Sequence, residues 1–153
     1  MRTILTVCSG NLCRSPMAEY LLRDELAKAG VDDIDVASAG VSAYEGEKAL
    51  AHTRAFMAAH GYDLEPHRTR RLTKAMIDEA QLVLLADRGH LRAATLIAPH
   101  ATEKFVLMAT LDPEAGTDEI GDPYGGGDEL FMEAYRVIKR ACIALAARLA
   151  DGD

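Results

Sequence analysis

The sequence predicts a single-domain α/β fold over residues 1–153, with a four-stranded parallel sheet and helices on both faces. Short apolar segments rich in Val, Ile and Leu alternate along the chain with longer segments of helical periodicity, which is the pattern of a parallel sheet. The length of 153 residues fits one domain. Aromatic residues make up only 5% of the chain and Trp is absent, so we expect a core of aliphatic side chains and Ala.

The first elements are a strand, a polar loop and a helix. Residues 2–7 form an apolar run that ends at Cys8, as a buried strand does before a tight loop. Ser15 is a favourable N-cap, Pro16 suits the first helical position, and Gly30 ends the helix. The apolar stripe of this helix comprises Met17, Tyr20, Leu21, Leu22 and Leu26.

The later elements continue the alternation of strands and helices. Strands are predicted at residues 34–39, 81–86 and 104–108, and helices at residues 48–60, 89–98 and 128–149. Parallel strands joined by right-handed crossovers place a ligand site beyond the carboxyl ends of the strands, where Cys8 lies. The irregular segment 110–127 contains two Asp-Pro pairs, and a loop of this length in a compact domain is usually functional or mobile.

Composition and charge exclude several classes of function. The formal net charge of -7 disfavours general binding to nucleic acid and stable association with an anionic membrane. The N-terminal apolar run is too short for a secretory signal, and no later segment approaches a membrane span, so we expect a cytoplasmic location. The three cysteines lack the spacing of common zinc sites, and they predict neither a metal site nor a disulfide scaffold.

The loop from Cys8 to Arg14 carries the strongest functional signal. Gly10 and Asn11 readily take positive φ, so the backbone N–H groups of the loop can turn inward as a nest for a phosphate dianion. The same N–H groups and Arg14 favour the thiolate form of Cys8, which makes this residue a candidate nucleophile. Arg14 offers a planar fork to two phosphate oxygens. The predicted fold therefore includes a phosphate-binding loop after the first strand.

Ser15 and Cys13 each have two possible roles at this level. Ser15 caps the helix, donates its hydroxyl to the sulfur of Cys8, or does both. Cys13 either packs under the loop or forms a reversible disulfide with Cys8 that shields the thiolate from overoxidation. Cys142 lies in an Ala-rich helix and is predicted to be a small apolar core residue.

Two motifs resemble those of the low-molecular-weight protein tyrosine phosphatases. Residues 7–16, Val-Cys-Ser-Gly-Asn-Leu-Cys-Arg-Ser-Pro, are similar to the signature of that family, and Asp122-Pro123-Tyr124 is similar to its general-acid loop. The likeness covers nearly the whole chain. The resemblance implies that Cys8, Arg14 and Asp122 are catalytic. The substrate-binding residues that it implies are Ser9, Gly10, Asn11, Leu12, Cys13, Ser15, Tyr44 and Tyr124.

Further positions match residues that lie behind the loop in this family. The resemblance implies that Asn11, Ser38 and His67 are linked by hydrogen bonds that hold the loop in its strained shape. Asp87, at the end of the third strand, is expected to steady the loop arginines. The histidines predicted to be ordinary surface residues are His52, His60, His90 and His100.

The resemblance also implies a two-step hydrolysis of phosphotyrosine without a metal ion or an organic cofactor. Cys8 would form a cysteinyl-phosphate while Asp122 protonates the leaving phenolate, whose conjugate acid has a pKa of about 10. Asp122 would then take a proton from the attacking water. The implied partners are a phosphotyrosine protein and a cognate tyrosine kinase. A basic cluster either is a solvated face or attracts acidic phosphopeptides, and it comprises Arg68, Arg70 and Arg71.

Three other functions compete with this interpretation. Gly125 and Gly126 after Tyr124 also resemble the bacterial protein arginine phosphatases, but that branch typically has Thr where this chain has Leu12, so phosphotyrosine is preferred. A thiol-dependent arsenate reductase shares the loop but needs further cysteines, for which Cys142 is the remaining candidate. A non-catalytic module that binds phosphorylated residues would need neither a nucleophile nor an acid.

Overall fold

The fold is built on a four-stranded sheet in which all strands are parallel. A computed structural model describes residues 1–152. The strands are β1 (Arg2–Cys8), β2 (Ile34–Gly40), β3 (Leu82–Leu85) and β4 (Phe105–Leu107), in the spatial order β2-β1-β3-β4. The predicted α/β class with a four-stranded parallel sheet is confirmed.

Helices cover both faces of this sheet. They are α1 (Arg14–Lys28), α2 (Ala51–Ala59), α3 (Lys74–Glu79), α4 (Arg88–Ile97) and α5 (Asp128–Ala150). Short 3₁₀ helices occupy Pro99–Lys104 and Met108–Leu111. One hydrophobic core contains buried side chains of α1, α2 and α5, and a second core contains those of α3 and α4. The sheet lies between the two cores.

The side chains of β1 and β3 alternate between these cores. Ile4 and Leu84 belong to the core of α1 and α5, whereas Leu5, Val83 and Leu85 belong to the core of α3 and α4. None of the five is more than 2% exposed. A strand that is buried on both faces needs an apolar side chain on each face, and this explains why β3 is entirely apolar.

The carboxyl end of β1 lies at the point where the strand order reverses. The strand that follows β1 along the chain, β2, pairs on one side of it, and β3 pairs on the other. Open parallel sheets form their ligand crevices at such a point. Cys8 ends β1 opposite Gly40 of β2. A Cβ at Gly40 would lie 2.5 Å from Ser9 O and 2.7 Å from Asn11 N, so glycine here lets β2 lie against the loop.

The start of α1 differs from the prediction. Cys13 is the N-cap residue, and its side chain makes no capping hydrogen bond. Ser15 and Pro16 are the second and third helical residues, so the predictions that Ser15 caps the helix and that Pro16 opens it are wrong. The Ser15 hydroxyl hydrogen bonds to Cys8 and Asn11 instead. Pro16 is tolerated because the first N–H groups of a helix have no intrahelical acceptor.

Other predicted boundaries shift by a few residues. α2 begins at Ala51 rather than at residue 48, and β3 and β4 are both shorter than predicted. The sequence does not predict α3, because six residues are too few to show helical periodicity. Its start nevertheless has a capping signal, since the side chain of Thr73 accepts a hydrogen bond from Met76 N.

Candidate active site

Asn11 is the buried residue in the middle of the loop between β1 and α1. This residue is 0% exposed, and its φ of 58° is the only positive φ of a non-glycine residue in residues 1–152. The prediction of positive φ is thus confirmed for Asn11 but not for Gly10. Asn adopts the left-handed region more easily than most residues do, so the loop uses the residue type that its backbone requires.

The amide of Asn11 connects the loop to three neighbouring segments. Its Nδ2 donates to Ser15 Oγ at 2.8 Å and to Ser38 Oγ at 2.9 Å, and its Oδ1 accepts from Arg70 N at 2.9 Å. His67 Nε2 lies 2.9 Å from the carbonyl oxygen of Asn11 and donates to it. The predicted hydrogen-bonded link of Asn11, Ser38 and His67 is therefore present behind the loop.

Two arginines of the basic cluster also brace this region. Arg70 Nε donates to Ser38 O at 3.2 Å. Arg68 Nη1 donates to Glu65 O at 2.7 Å and to His67 O at 2.8 Å. The two roles predicted for this cluster are a solvated face and a site that attracts acidic peptides. The hydrogen bonds of Arg68 and Arg70 give the cluster a structural role that neither prediction contains.

The thiol of Cys8 lies at the base of the site. Cys8 is 3% exposed, and its Sγ is 2.9 Å from Ser15 Oγ. Because Ser15 Oγ already accepts a hydrogen bond from Asn11 Nδ2, its own proton is available to the sulfur. Of the two roles considered for Ser15, the geometry supports donation to the sulfur.

The guanidinium of Arg14 is buried and held by acceptors on three sides. Nη1 donates to Asp87 Oδ2 at 3.1 Å and to Ile120 O at 2.8 Å, and Nη2 lies 3.5 Å from Asp122 Oδ2. Its Nε is buried and has no hydrogen-bond partner within residues 1–152. Arg14 is thus fixed in place by its Nη1 while its buried Nε–H is still available to a ligand. The predicted contact of Asp87 with loop arginines is present for Arg14.

Asp87 connects Arg14 with the start of α4. It is the N-cap of this helix, and its Oδ1 accepts from His90 N at 3.1 Å. Partial burial raises the pKa of Asp87, but the hydrogen bond from His90 N and the charge of Arg14 outweigh this effect, so the pKa lies below its ordinary value. Asp87 therefore remains an anionic partner for Arg14 at neutral pH.

His90 is buried, and the prediction that it is a surface residue is wrong. It is 3% exposed, its Nε2 lies 2.8 Å from Ser9 Oγ, and its Nδ1 accepts from Asp87 N at 3.2 Å. Burial lowers the pKa of His90 below its ordinary value. The pairing of an Asp N-cap with a polar side chain three residues later is a capping-box pattern, which could have revealed this residue in the sequence.

Asp122 lies at the mouth of the same site, on the irregular segment before α5. Its side chain is 50% exposed, and its Oδ1 accepts from Tyr124 N at 3.1 Å. The segment is attached to the end of β3, because Ile120 N donates to Ala86 O at 2.8 Å. Arg88 adds ion pairs to two carboxylates of the same segment. These contacts hold Asp122 beside the loop.

The loop and the Asp122 segment enclose a cavity of about 280 Å³. Its lining residues are Cys8, Ser9, Gly10, Leu12, Cys13, Arg14, Ser42, Asp122 and Tyr124. Tyr124 forms part of the wall, whereas Tyr44 is 76% exposed and does not line the cavity, so its binding role stays a prediction. Asn11 and Ser15 lie behind the lining. Ser42 also lines the cavity, and no motif in the sequence marks it.

The other two thiols are free and buried. Burial raises the pKa of Cys13 to about 11, and it also raises the pKa of Cys142. Cys142 is 0% exposed, and its Sγ contacts Ala18 O of α1 at 3.9 Å, which confirms its prediction as a core residue. A disulfide between Cys8 and Cys13 stays a prediction.

Two negative findings apply to residues 1–152. None of the helices there is both long and apolar enough to cross a membrane. No three side chains of His, Cys, Asp or Glu in that range are close enough together to hold a metal ion.

Comparisons with known proteins identify relatives of this chain. The profile of the family described as low molecular weight phosphotyrosine protein phosphatase matches residues 3–152. Over 151 residues, the chain is 38% identical to the low molecular weight protein-tyrosine-phosphatase of Streptomyces coelicolor, with 95% of this chain and 92% of that protein covered. It is 37% identical over 150 residues to a protein-arginine-phosphatase of Geobacillus stearothermophilus, with 97% and 93% covered.

A solved structure of similar fold is that of Wzb from Vibrio vulnificus in complex with benzylphosphonate. It superposes with a TM-score of 0.84 and 34% sequence identity, and the match covers 96% of this chain and 98% of that one. Proteins named for tyrosine and for arginine dephosphorylation thus both resemble this chain, and the choice between the two substrates depends on the cavity itself.

Proposed function

This chain belongs to the low molecular weight phosphotyrosine protein phosphatase family, and we propose that it hydrolyses phosphotyrosine by means of Cys8, Arg14 and Asp122. The observation that carries this proposal is the convergence of the three side chains on one cavity at the carboxyl end of β1. A thiol, a guanidinium and a carboxyl group together supply a nucleophile, charge stabilisation and a proton donor. The family resemblance found in the sequence is confirmed by the profile match.

In the first step, Cys8 attacks the phosphorus of phosphotyrosine as a thiolate. The S–P bond forms while the bond from phosphorus to the phenolic oxygen breaks, and the protonated carboxyl of Asp122 gives its proton to that oxygen. Tyrosine leaves and cysteinyl-phosphate remains. The half-exposed position of Asp122 at the mouth of the cavity supports its assignment as the acid.

In the second step, water attacks the cysteinyl-phosphate. The Asp122 carboxylate takes a proton from the water, the S–P bond breaks, and phosphate leaves with Cys8 again a thiolate. The Ser15 hydroxyl, 2.9 Å from Cys8 Sγ, stabilises the departing thiolate by a hydrogen bond. Asp122 ends the cycle protonated, so the two steps balance without a metal ion or an organic cofactor.

Arg14 and the backbone N–H groups of the loop bind the phosphoryl group in this scheme. Within residues 1–152 the buried Arg14 Nε has no acceptor, and a phosphoryl oxygen would provide one. Nη1 is already held by Asp87 and by the Ile120 carbonyl, so the guanidinium does not need to reorient when charge develops on the transferred oxygens.

The lining of the cavity favours an aryl group over a guanidinium group. Leu12 and Tyr124 both line it and can pack against the ring of phosphotyrosine. Leu12 offers no acceptor to the N–H groups of phosphoarginine, which would remain unpaired there. Arginine phosphatase activity is the second candidate, which the likeness to the Geobacillus stearothermophilus protein and the glycines after Tyr124 support.

The test is the ratio of kcat/KM for matched phosphotyrosine and phosphoarginine peptides. We expect at least a roughly tenfold preference for phosphotyrosine, the size of effect that one pocket contact produces. Leu12→Thr should reduce this preference. Cys8→Ser, the control, should abolish turnover of both peptides while inorganic phosphate still binds. Equal or reversed efficiencies in the unmodified chain would contradict the substrate assignment.

Arsenate reduction is disfavoured by the position of Cys142. Passing a disulfide on from Cys8 requires a second thiol that is accessible and readily ionised. Cys142 is neither, because it is buried between α5 and α1 and its pKa is raised. An assay with arsenate and a thiol donor should therefore yield no arsenite.

We infer that the partner is a phosphotyrosine protein in the cytoplasm, such as a cognate tyrosine kinase. The family assignment supports this class of substrate, and the three free thiols support a reducing compartment. An Asp122→Ala variant should retain phosphotyrosine proteins from a cell lysate in proportion to their phosphotyrosine content, and vanadate should release them.

A further inference from the structure

Ser9 and His90 form a hydrogen-bonded pair that the two-step mechanism does not use. Ser9 lines the cavity directly after the nucleophile, and His90 is buried in the first turn of α4. The two residues are 81 positions apart in the sequence, yet Ser9 Oγ and His90 Nε2 lie 2.8 Å from each other. A buried histidine that reaches a lining hydroxyl is in a position to control where that hydroxyl directs its proton.

The surroundings of His90 determine the direction of this hydrogen bond. His90 Nδ1 accepts from Asp87 N at 3.2 Å, as one half of the capping box of α4. A neutral imidazole that accepts at Nδ1 carries its proton on Nε2. Nδ1 also lies 3.3 Å from Asp87 Oδ1, but that oxygen already accepts from His90 N at 3.1 Å, so we assign the ring proton to Nε2. With this assignment His90 donates to Ser9 Oγ, and the proton of the Ser9 hydroxyl remains for another acceptor. Burial, which lowers the pKa of His90, preserves the neutral ring.

We propose that the Ser9 hydroxyl donates a hydrogen bond to an oxygen of the phosphoryl group, and that His90 is the positioning residue that orients it. This inference rests on the proposed function and adds a side-chain donor to Arg14 and the loop N–H groups. Phosphoryl oxygens are charged and are the strongest acceptors that the cavity would hold. Since His90 is fixed at both ring nitrogens, Ser9 is oriented before the substrate binds.

The first turn of α4 thereby supports both ends of the loop. Asp87 Oδ2 accepts from Arg14 Nη1 at 3.1 Å, and His90, capped by the same Asp87, holds Ser9 at the other end. The loop residue after the nucleophile and the arginine that closes the loop are fixed by two residues of one turn. Arg14 and Ser9, two hydrogen-bond donors to the phosphoryl group, are thus held by the same turn of α4.

Variants of His90 and Ser9 separate this role from a purely structural one. Ser9→Ala removes the hydroxyl, and Ser9→Thr retains it. His90→Asn keeps an acceptor near the position of Nδ1 for the cap of α4, whereas His90→Gln places an amide donor near the position of Nε2. The matched control is His100→Asn, because His100 is an exposed histidine that bonds to Asp78 at 2.7 Å.

The readouts are kcat/KM for phosphotyrosine and the inhibition constant of inorganic phosphate. Ser9→Ala and His90→Asn should each lower kcat/KM and raise the inhibition constant of phosphate by roughly tenfold, which is the effect of one hydrogen bond to a charged group. Ser9→Thr and His90→Gln should have values close to those of the unmodified chain, and His100→Asn should have the same values as the unmodified chain. The double variant Ser9→Ala with His90→Asn should have the same kcat/KM and inhibition constant as Ser9→Ala alone, because the two changes remove the same interaction.

Unchanged phosphate inhibition in Ser9→Ala would overturn the inference, and so would additive losses in the double variant. If His90→Asn does not fold, the comparison of Ser9→Ala with Ser9→Thr still decides the matter. Failure of the proposed function is a different outcome, since the unmodified chain would then show no turnover of phosphotyrosine.

Discussion

Asp122 Oδ2 lies 3.5 Å from Arg14 Nη2, so the proposed acid and the proposed phosphate clamp form an ion pair. The Arg14 side chain is 4% exposed and that of Asp122 is 50% exposed. The pair therefore links a buried, fixed guanidinium to a carboxyl group that is in contact with solvent. At 3.5 Å the two atoms are farther apart than in a hydrogen bond, and the solvent around Asp122 screens the pair. The Asp122 carboxyl can therefore leave Arg14 at small energetic cost when phosphoryl oxygens bind the guanidinium.

Asp122→Asn should slow phosphotyrosine hydrolysis by about 10²- to 10⁴-fold, because an amide cannot protonate the leaving phenolate. Aryl phosphates with weakly basic leaving groups need less protonation and should lose far less activity. The measurement is kcat across a series of aryl phosphates with graded leaving-group pKa. Asp118→Asn, at a carboxylate of the same segment that pairs with Arg88, is the control. A uniform loss across the series would count against Asp122 as the acid.

Ser15→Ala should lower kcat and the rate at which iodoacetate alkylates Cys8 by about tenfold at pH 7. The variant removes the hydroxyl that lies 2.9 Å from Cys8 Sγ and that accepts from Asn11 Nδ2. Without this donor the thiolate is less stable. Ser15→Thr, which keeps the hydroxyl, should restore part of both rates. An unchanged alkylation rate in Ser15→Ala would show that the hydroxyl does not stabilise the sulfur.

The sequence predicts the centre of the site well, because the loop from Cys8 to Arg14 is contiguous. A strand end, a loop residue suited to positive φ and a helix start follow one another there, so local chemistry alone indicates an anion site. Asp122 could be assigned only through the family resemblance, since an Asp-Pro pair by itself indicates a turn. Its closeness to Arg14 depends on contacts between distant segments, such as Ile120 N with Ala86 O.

The errors arise where tertiary contacts replace local preferences. Ser15 is a good N-cap by type, but its hydroxyl is engaged by Cys8 and Asn11 inside the fold. His90 has no apolar character and was expected at the surface, yet the capping of α4 turns its ring toward Ser9. Ser42 lines the cavity only because β2 ends beside the loop. The capping box of α4 is the one local signal among them, and the contacts to Ser9, Cys8, Asn11 and the cavity cannot be derived from periodicity or composition.

Asn11→Ala should reduce the free energy of unfolding by about 2–4 kcal/mol, measured by urea denaturation. It removes three hydrogen bonds, of which those to Ser15 and Ser38 are buried and that from Arg70 N is partly buried, and it forces Ala into the left-handed region at φ of 58°. Asn11→Gly loses the same hydrogen bonds without that backbone strain, and it should be about 1 kcal/mol more stable than Asn11→Ala. Equal stability of the two variants would contradict the strain contribution.

Iodoacetamide at pH 8 should modify Cys8 well before Cys13. Burial raises the pKa of Cys13 to about 11, so this residue is almost entirely a thiol at that pH, and only thiolates react at a useful rate. Cys142, buried at 0% exposure, should react only after unfolding. Peptide mass mapping over time measures the order, with the denatured chain as control. Equal rates for Cys8 and Cys13 would contradict the assignment of Cys8 as the reactive thiol.

The stability of the protein should fall below about pH 6.5 in part because of His90. Its folded-state pKa is lowered by burial, so the unfolded chain takes up a proton at a pH at which the folded chain does not. The contribution is therefore fully present above the ordinary pKa of His and is lost as the pH falls through the lowered value. The charged groups that act on His90 are Asp87, Arg14, Asp122 and Glu119.

His90→Asn isolates this contribution, since Asn does not titrate and still offers an acceptor to Asp87 N. The variant should show a smaller loss of stability between about pH 6.5 and 5 than the unmodified chain, measured by urea denaturation at each pH. His100→Asn, which removes an exposed histidine, should not show the same reduction. If the unmodified chain and His90→Asn lose stability in parallel, His90 is not buried in its neutral form. A parallel loss would also remove the tautomer argument, because a protonated ring cannot accept from Asp87 N at Nδ1.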